Sequence, residues 1–177
     1  MNISKMVTAK NELNGLDCFH TMRRYPRQLK ANPVKYITGK IRESDFFPAN
    51  IKKLAAKAEA AHKKLINAEI IMNIASEEEG LKTLTRLFNG KNPVNTAKVK
   101  KGYHIIKNKE IETFSKFKTE YLKWYKKFEK HPDSHPYLFN NLFGKDREKI
   151  ITCREINSYL EKTYYNSTDG RWEISKS

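Results

Sequence analysis

At 177 residues, with 38% hydrophobic and 11% aromatic content, the chain is long enough for one buried core and too rich in aromatics for wholesale disorder. Its 35 basic groups against 20 acidic ones leave a formal charge of +15, which points to a polyanionic partner. No apolar run reaches the roughly 18 residues that span a bilayer, and the first ten residues lack the apolar stretch of a signal peptide, so no membrane partner is expected.

The charge is unevenly spread. Residues 1–49 carry a net +5, residues 50–90 +2, residues 91–130 +8 and residues 131–177 zero. Twelve of the forty residues in the third segment are lysines, against four glutamates. Lysine outnumbers arginine 27 to 8, a usage that fits an AT-rich coding genome such as that of a phage. Cys18 and Cys153 stand far apart without a CxxC partner, and read as reduced thiols of a cytoplasmic protein.

In chain order, Asn14-Gly15 marks a turn and Leu16 to Arg24 suits a short helix that Pro26 stops. Arg23, Arg24 and Arg27 surround Tyr25 with few acids nearby; arginines so placed can read a base edge or stack. Asn32-Pro33 has the form of a helix cap with proline at the first helical position. The alternation of Val34, Tyr36 and Thr38 supports a short strand equally well. Asn50 caps a predicted helix to Ala75, with Ile51, Leu54, Ala58, Ala61, Leu65, Ala68 and Met72 as its apolar stripe. Its small residues admit a close neighbour, and Lys53, Lys57 and Lys64 line up away from the stripe. Ser76 to Glu79 forms a capping box before Leu81, Leu84, Leu87 and Phe88, and Asn89-Gly90 ends that helix.

Val99 to Ile106 reads as two short strands around Lys101-Gly102. That hairpin would carry Lys98, Lys100, Lys101, Lys107 and Lys109 to a groove or backbone, as a wing does. A long helix is then predicted from Asn108 to Lys130. Ile111, Phe114, Phe117, Tyr121, Trp124, Tyr125 and Phe128 form its apolar face, opposite Lys116, Lys123, Lys127 and Lys130. His131-Pro132 breaks it. A turn at Phe139–Phe143, a capping box at Thr152 with Glu155, a helix to Tyr164 and a strand at Arg171–Ile174 complete the chain.

The expected fold is mainly α: a single compact helical domain over 1–177 with small β elements, namely the hairpin near 97–107 and short C-terminal strands. A winged-helix-like arrangement is the alternative topology, and residues 1–49 form a semi-independent N-terminal arm in the alternative domain scheme.

Lysines on an ordered helix with few acidic partners repel one another unless a polyanion covers them. The expected function is therefore binding of DNA or RNA by Arg23, Arg24, Arg27, Lys98, Lys100, Lys101, Lys107, Lys109, Lys116, Lys123, Lys126, Lys127 and Lys130, without catalysis, cofactor or metal. The setting would be a phage or mobile-element accessory factor, with residues 131–177 free for a protein partner. The alternatives are a regulator that sets the basic surface against an acidic or RNA-containing target, and a metal-dependent nuclease or RNase toxin. For the last, His131, Asp133 and His135 form only a weak ligand pattern, and no H-E-x-x-H, P-loop, G-x-G-x-x-G or nucleophile elbow occurs.

Overall fold

The computed structural model describes residues 25–88, 96–131 and 145–176. The chain divides into two units, Met1–Ala31 and Asn32–Ser177. Arg23, Arg24, the helix expected at Leu16–Arg24, the Asn89-Gly90 stop, the turn at Phe139–Phe143, Asp133 and His135 lie outside the described residues. In the first unit a single turn of helix, α1 (Arg27–Ala31), starts where the Lys30 N–H donates to the Pro26 carbonyl at 3.2 Å.

The second unit opens with α2 (Pro33–Arg42). Helix wins over strand here because Val34, Ile37, Thr38 and Ile41 are buried at three- and four-residue spacing. Pro33 sits in the first turn, and the Asn32 side chain accepts the Lys35 N–H at 3.1 Å. The next helix, α3 (Ala49–Ala75), begins one residue before the expected cap, with Pro48 in that role. Ile51, Ala55, Ala58, Ala61 and Leu65 are buried along it. A short helix, α4 (Glu78–Phe88), follows. It passes so close to α3 that a Cβ on Gly80 would collide with the Ile74 backbone.

The longest element is α5 (Thr96–Glu129), with 34 residues. It lies antiparallel to α3: Phe47, just before α3, meets Tyr121 and Trp124, while His62 meets Glu110 farther along. This is the most extensive packing between elements, and the alanines of α3 are what allow it. Phe114, Phe117 and Tyr121 are fully enclosed, and Tyr125 nearly so. A further helix, α6 (Lys145–Lys162), buries Ile150, Cys153, Ile156 and Leu160. The Tyr121 hydroxyl donates to the Cys153 carbonyl at 3.0 Å and ties α5 to α6.

Two strands close the chain, β1 (Thr163–Asn166) and β2 (Arg171–Ile174), paired antiparallel with Thr163 opposite Ile174. Their turn is held by the Asn166 side chain, which accepts the Thr168 and Asp169 N–H groups at 3.0 and 3.2 Å. It ends on Gly170 at φ 70°, a left-handed position that glycine occupies without steric cost. Trp172 packs on Phe114 with centroids 4.7 Å apart and fastens the hairpin to α5.

The mainly α architecture, the small C-terminal strands and the position of β2 are as expected, whereas α6 starts seven residues before the capping box expected at Thr152 and stops at Lys162, leaving Thr163 and Tyr164 to β1. The hairpin near 97–107 does not form: residues 96–129 form one continuous helix. Val99, Tyr103, Ile105 and Ile106 gave that stretch a β-rich look, and Lys101-Gly102 supplied a turn. In the helix, Gly102 faces open space, and Tyr103 and Lys107, one turn apart, form a cation–π contact at 5.6 Å. The winged-helix alternative therefore loses the wing it was built on. No described helix is long and apolar enough to cross a membrane.

Candidate nucleic-acid interface

Helical spacing sorts the lysines of α5. At about 100° per residue, Lys98, Lys101, Lys109, Lys116, Lys123, Lys126 and Lys127 fall within an arc of about 100° opposite the buried aromatics, and Lys130, one residue past the end of the helix, continues it. All eight are exposed. Lys109, Lys116, Lys123 and Lys130 recur every seven residues, so they form a nearly straight row with steps of about 10.5 Å. Carboxylates are scarce beside them. Glu112 holds Lys109 at 3.1 Å and Glu120 approaches Lys123 at 3.8 Å, both solvent-exposed pairs worth little. Lys126 and Lys127 sit in the last turn, where the helix dipole favours cations.

Two lysines of the same helix serve the fold instead. Lys107 reaches the β1–β2 turn, where a Cβ on Gly170 would collide with its Nζ. Burial works against its charge, but hydrogen bonds and charge interaction with the Tyr103 and Tyr165 phenols outweigh this and raise its pKa. Lys118 donates to the Thr163 carbonyl at 2.7 Å, and burial lowers its pKa. Lys107, one of the lysines expected to touch a ligand, is held against the hairpin turn. Lys100 is exposed but lies on the flank toward the packed side. Arg27 is exposed in α1, within the first unit.

Three lysines outside α5 enlarge the basic surface: Lys53, Lys57 and Lys64 of α3 are all exposed. Between α3 and α5 runs a groove of about 670 Å³ lined by Lys57, Lys64 and Lys109 over a floor that includes Ala60, Ala61, Ile105 and Ile106. It continues into a smaller one of about 330 Å³ beside Leu54, Lys57, Lys109 and Lys116. The alignment of Lys57 and Lys64 was visible in the sequence. That they face Lys109 and Lys116 depends on the register of the two helices.

A polar network within the core sets that register. Glu110 is 2% exposed, and its Oε2 lies 2.8 Å from His62 Nδ1. The other ring nitrogen, Nε2, lies 2.8 Å from Asn32 Nδ2. Because Asn32 Oδ1 already accepts the Lys35 N–H, its amide must present N–H to the ring. Nε2 is then the acceptor, and Nδ1 carries the proton donated to Glu110. Asn32, His62 and Glu110 so join the start of α2 to α3 and α5. All three polar groups face one another, which marks the cluster as structural. Among the described residues no three His, Cys, Asp or Glu side chains come together as a metal site.

Cys153 is fully buried, and burial pushes its thiol from 9.0 to about 12, offset in part by Lys149 and the Tyr121 hydroxyl. A thiol so protected is a poor nucleophile. No protein-family model, curated protein or solved structure matches the chain.

Proposed function

We propose that this protein is a nucleic-acid-binding factor, without catalysis of its own, that grips the phosphate backbone through the outward lysine face of α5. The observation that carries the reading is the arc of seven exposed lysines on α5, continued by Lys130 just past its end, with Glu112 and Glu120 as exposed carboxylate neighbours of Lys109 and Lys123. Ammonium groups on flexible stems act as mobile point charges toward phosphates, and binding releases the counterions condensed on the polyanion. The aromatic packing beneath keeps the row straight, so the charges are presented together. The factor would act in the cytoplasm as an accessory of a phage or mobile element, with the charge-neutral 131–177 region available to recruit a protein.

The test is fluorescence anisotropy with labelled mixed-sequence oligonucleotides at roughly 50 and 200 mM salt. Tight binding that weakens steeply with salt is expected. Replacing Lys116, Lys123 and Lys127 with glutamate should reduce the slope of log K against log salt by about 2.7 if three duplex phosphate contacts are lost. A charge-matched control, Lys35, Lys63 and Lys176 to glutamate, should retain most of the slope. Equal affinity in the two triple variants would place the binding elsewhere.

A second reading draws on the floor of the α3–α5 groove. Alanine and isoleucine between lysine-bearing walls suit an acidic, partly apolar protein segment. Such a regulator would keep its protein partner in the presence of excess duplex, whereas a nucleic-acid binder would release it.

A further inference from the structure

Resting on that reading, we infer that the ligand of the α5 face is a double helix held by its phosphates alone, without preference for base sequence. Three features of α5 converge on this.

The first is where the rings are. Proteins that hold single strands combine a basic track with aromatic side chains on which bases stack. On α5 every Phe, Tyr and Trp lies away from the lysine row. Phe114, Phe117 and Tyr121 are enclosed, Tyr125 is buried, and Trp124 stacks on Phe128 with centroids 5.1 Å apart. Tyr103 lies beneath Lys107. Between the lysines stand Asn108, Glu112, Ser115, Thr119 and the exposed Ile105, none of which has a ring on which a base can stack. A single strand laid here would lose its conformational freedom with no stacking to offset the loss.

The second is the absence of base-reading chemistry. Direct readout relies on arginine paired to guanine or on Asn and Gln paired to adenine. The sequence of α5 contains no arginine and no glutamine, and Asn108 is the one asparagine along it. Lysine offers a charge without a fixed fork.

The third is geometry. The Lys109–Lys130 row spans about 32 Å in a straight line. Duplex DNA carries one charge per about 1.7 Å of axis, so about 19 phosphates lie along that length. Those phosphates are spread around the duplex, and which of them face the row is set by the course of the two backbones and not by the bases. A rigid row of charges matches a rigid polyanion, and a sequence-blind one.

The experiment measures Kd for one 24-nucleotide sequence as a DNA duplex, an RNA duplex and each single strand, and for a second DNA duplex of unrelated sequence. At least one duplex should bind about tenfold or more tightly than its strands, and the two DNA duplexes should agree within about threefold. The duplex that binds names the helical form. Single strands that bind as tightly as duplexes, or duplexes that differ more than tenfold by sequence, would overturn the inference while leaving phosphate binding in place. No binding to any of them would overturn the proposed function as well. Substituting Lys116, Lys123 and Lys127 with glutamate, all on the exposed face, should erase the duplex preference.

Discussion

Replacing His62 with leucine tests the polar network that registers α3 against α5. Glu110 is 2% exposed and His62 meets it at 2.8 Å. Removing the ring leaves the carboxylate inside the core with its partner gone, and frees the Asn32 amide on the other side. Breaking one half of a buried charged or strongly polar pair costs about 3–5 kcal/mol. For a unit of this size, each kcal/mol corresponds to a loss of about 2–4 °C in Tm. Exchanging both partners for apolar residues, His62→Leu with Glu110→Leu, removes the stranded group and should return stability to within about 1 kcal/mol of the wild type. Urea unfolding followed by tryptophan fluorescence gives all four corners of the cycle. Should His62→Leu cost less than about 1 kcal/mol, or the double variant cost the sum of the singles, the two groups do not depend on each other and the network is not what sets the register.

Three further outcomes follow from single positions. Gly170→Ala should destabilise by about 1–2 kcal/mol, because φ 70° is a left-handed position. Adding Lys107→Ala should recover none of that backbone cost while removing the collision with Nζ, as thermal unfolding can show. Above its ordinary value of 9.0 the unfolded state releases the Cys153 proton, while the native state keeps it to about 12. The unfolded chain then binds fewer protons, so stability falls as pH rises, by about 1.4 kcal/mol between pH 7 and 10. Lys118, whose pKa is lowered, works in the opposite direction, so the measurement is the difference in slope between wild type and Cys153→Ala. Gly102→Ala should stabilise by about 0.5–1 kcal/mol, since a new Cβ meets nothing within 4 Å and alanine is the better helix former. A loss of stability there would restore the hairpin turn.

Much of this molecule is legible as periodicity, and the exceptions share one cause. The stripe Phe114, Phe117, Tyr121 and Tyr125 is buried where its spacing put it, and Lys116, Lys123 and Lys127 are exposed opposite. Those positions are decided within two or three turns of one helix, so local pattern suffices. Residues 98–109 are decided from farther away. Their β-branched and aromatic side chains favour strands when taken alone, but Lys107 is claimed by the Gly170 turn and by Tyr165 of β1, some sixty positions later in the chain. Glu110 tells the same story: on a lysine-rich helix a glutamate reads as surface, and only His62, 48 residues earlier, makes it a core residue. Long-range pairing thus takes single charges inward, Lys107, Lys118 and Glu110 among them. It leaves outside a face where lysine recurs. Lys109, Lys116, Lys123 and Lys130 form its straight row, the ion pairs of Lys109 and Lys123 on it are solvent-exposed, and alignment makes the mutual repulsion of the row larger. The folded protein bears this repulsion, and under the proposed function it is the phosphates of a bound polyanion that would relieve it.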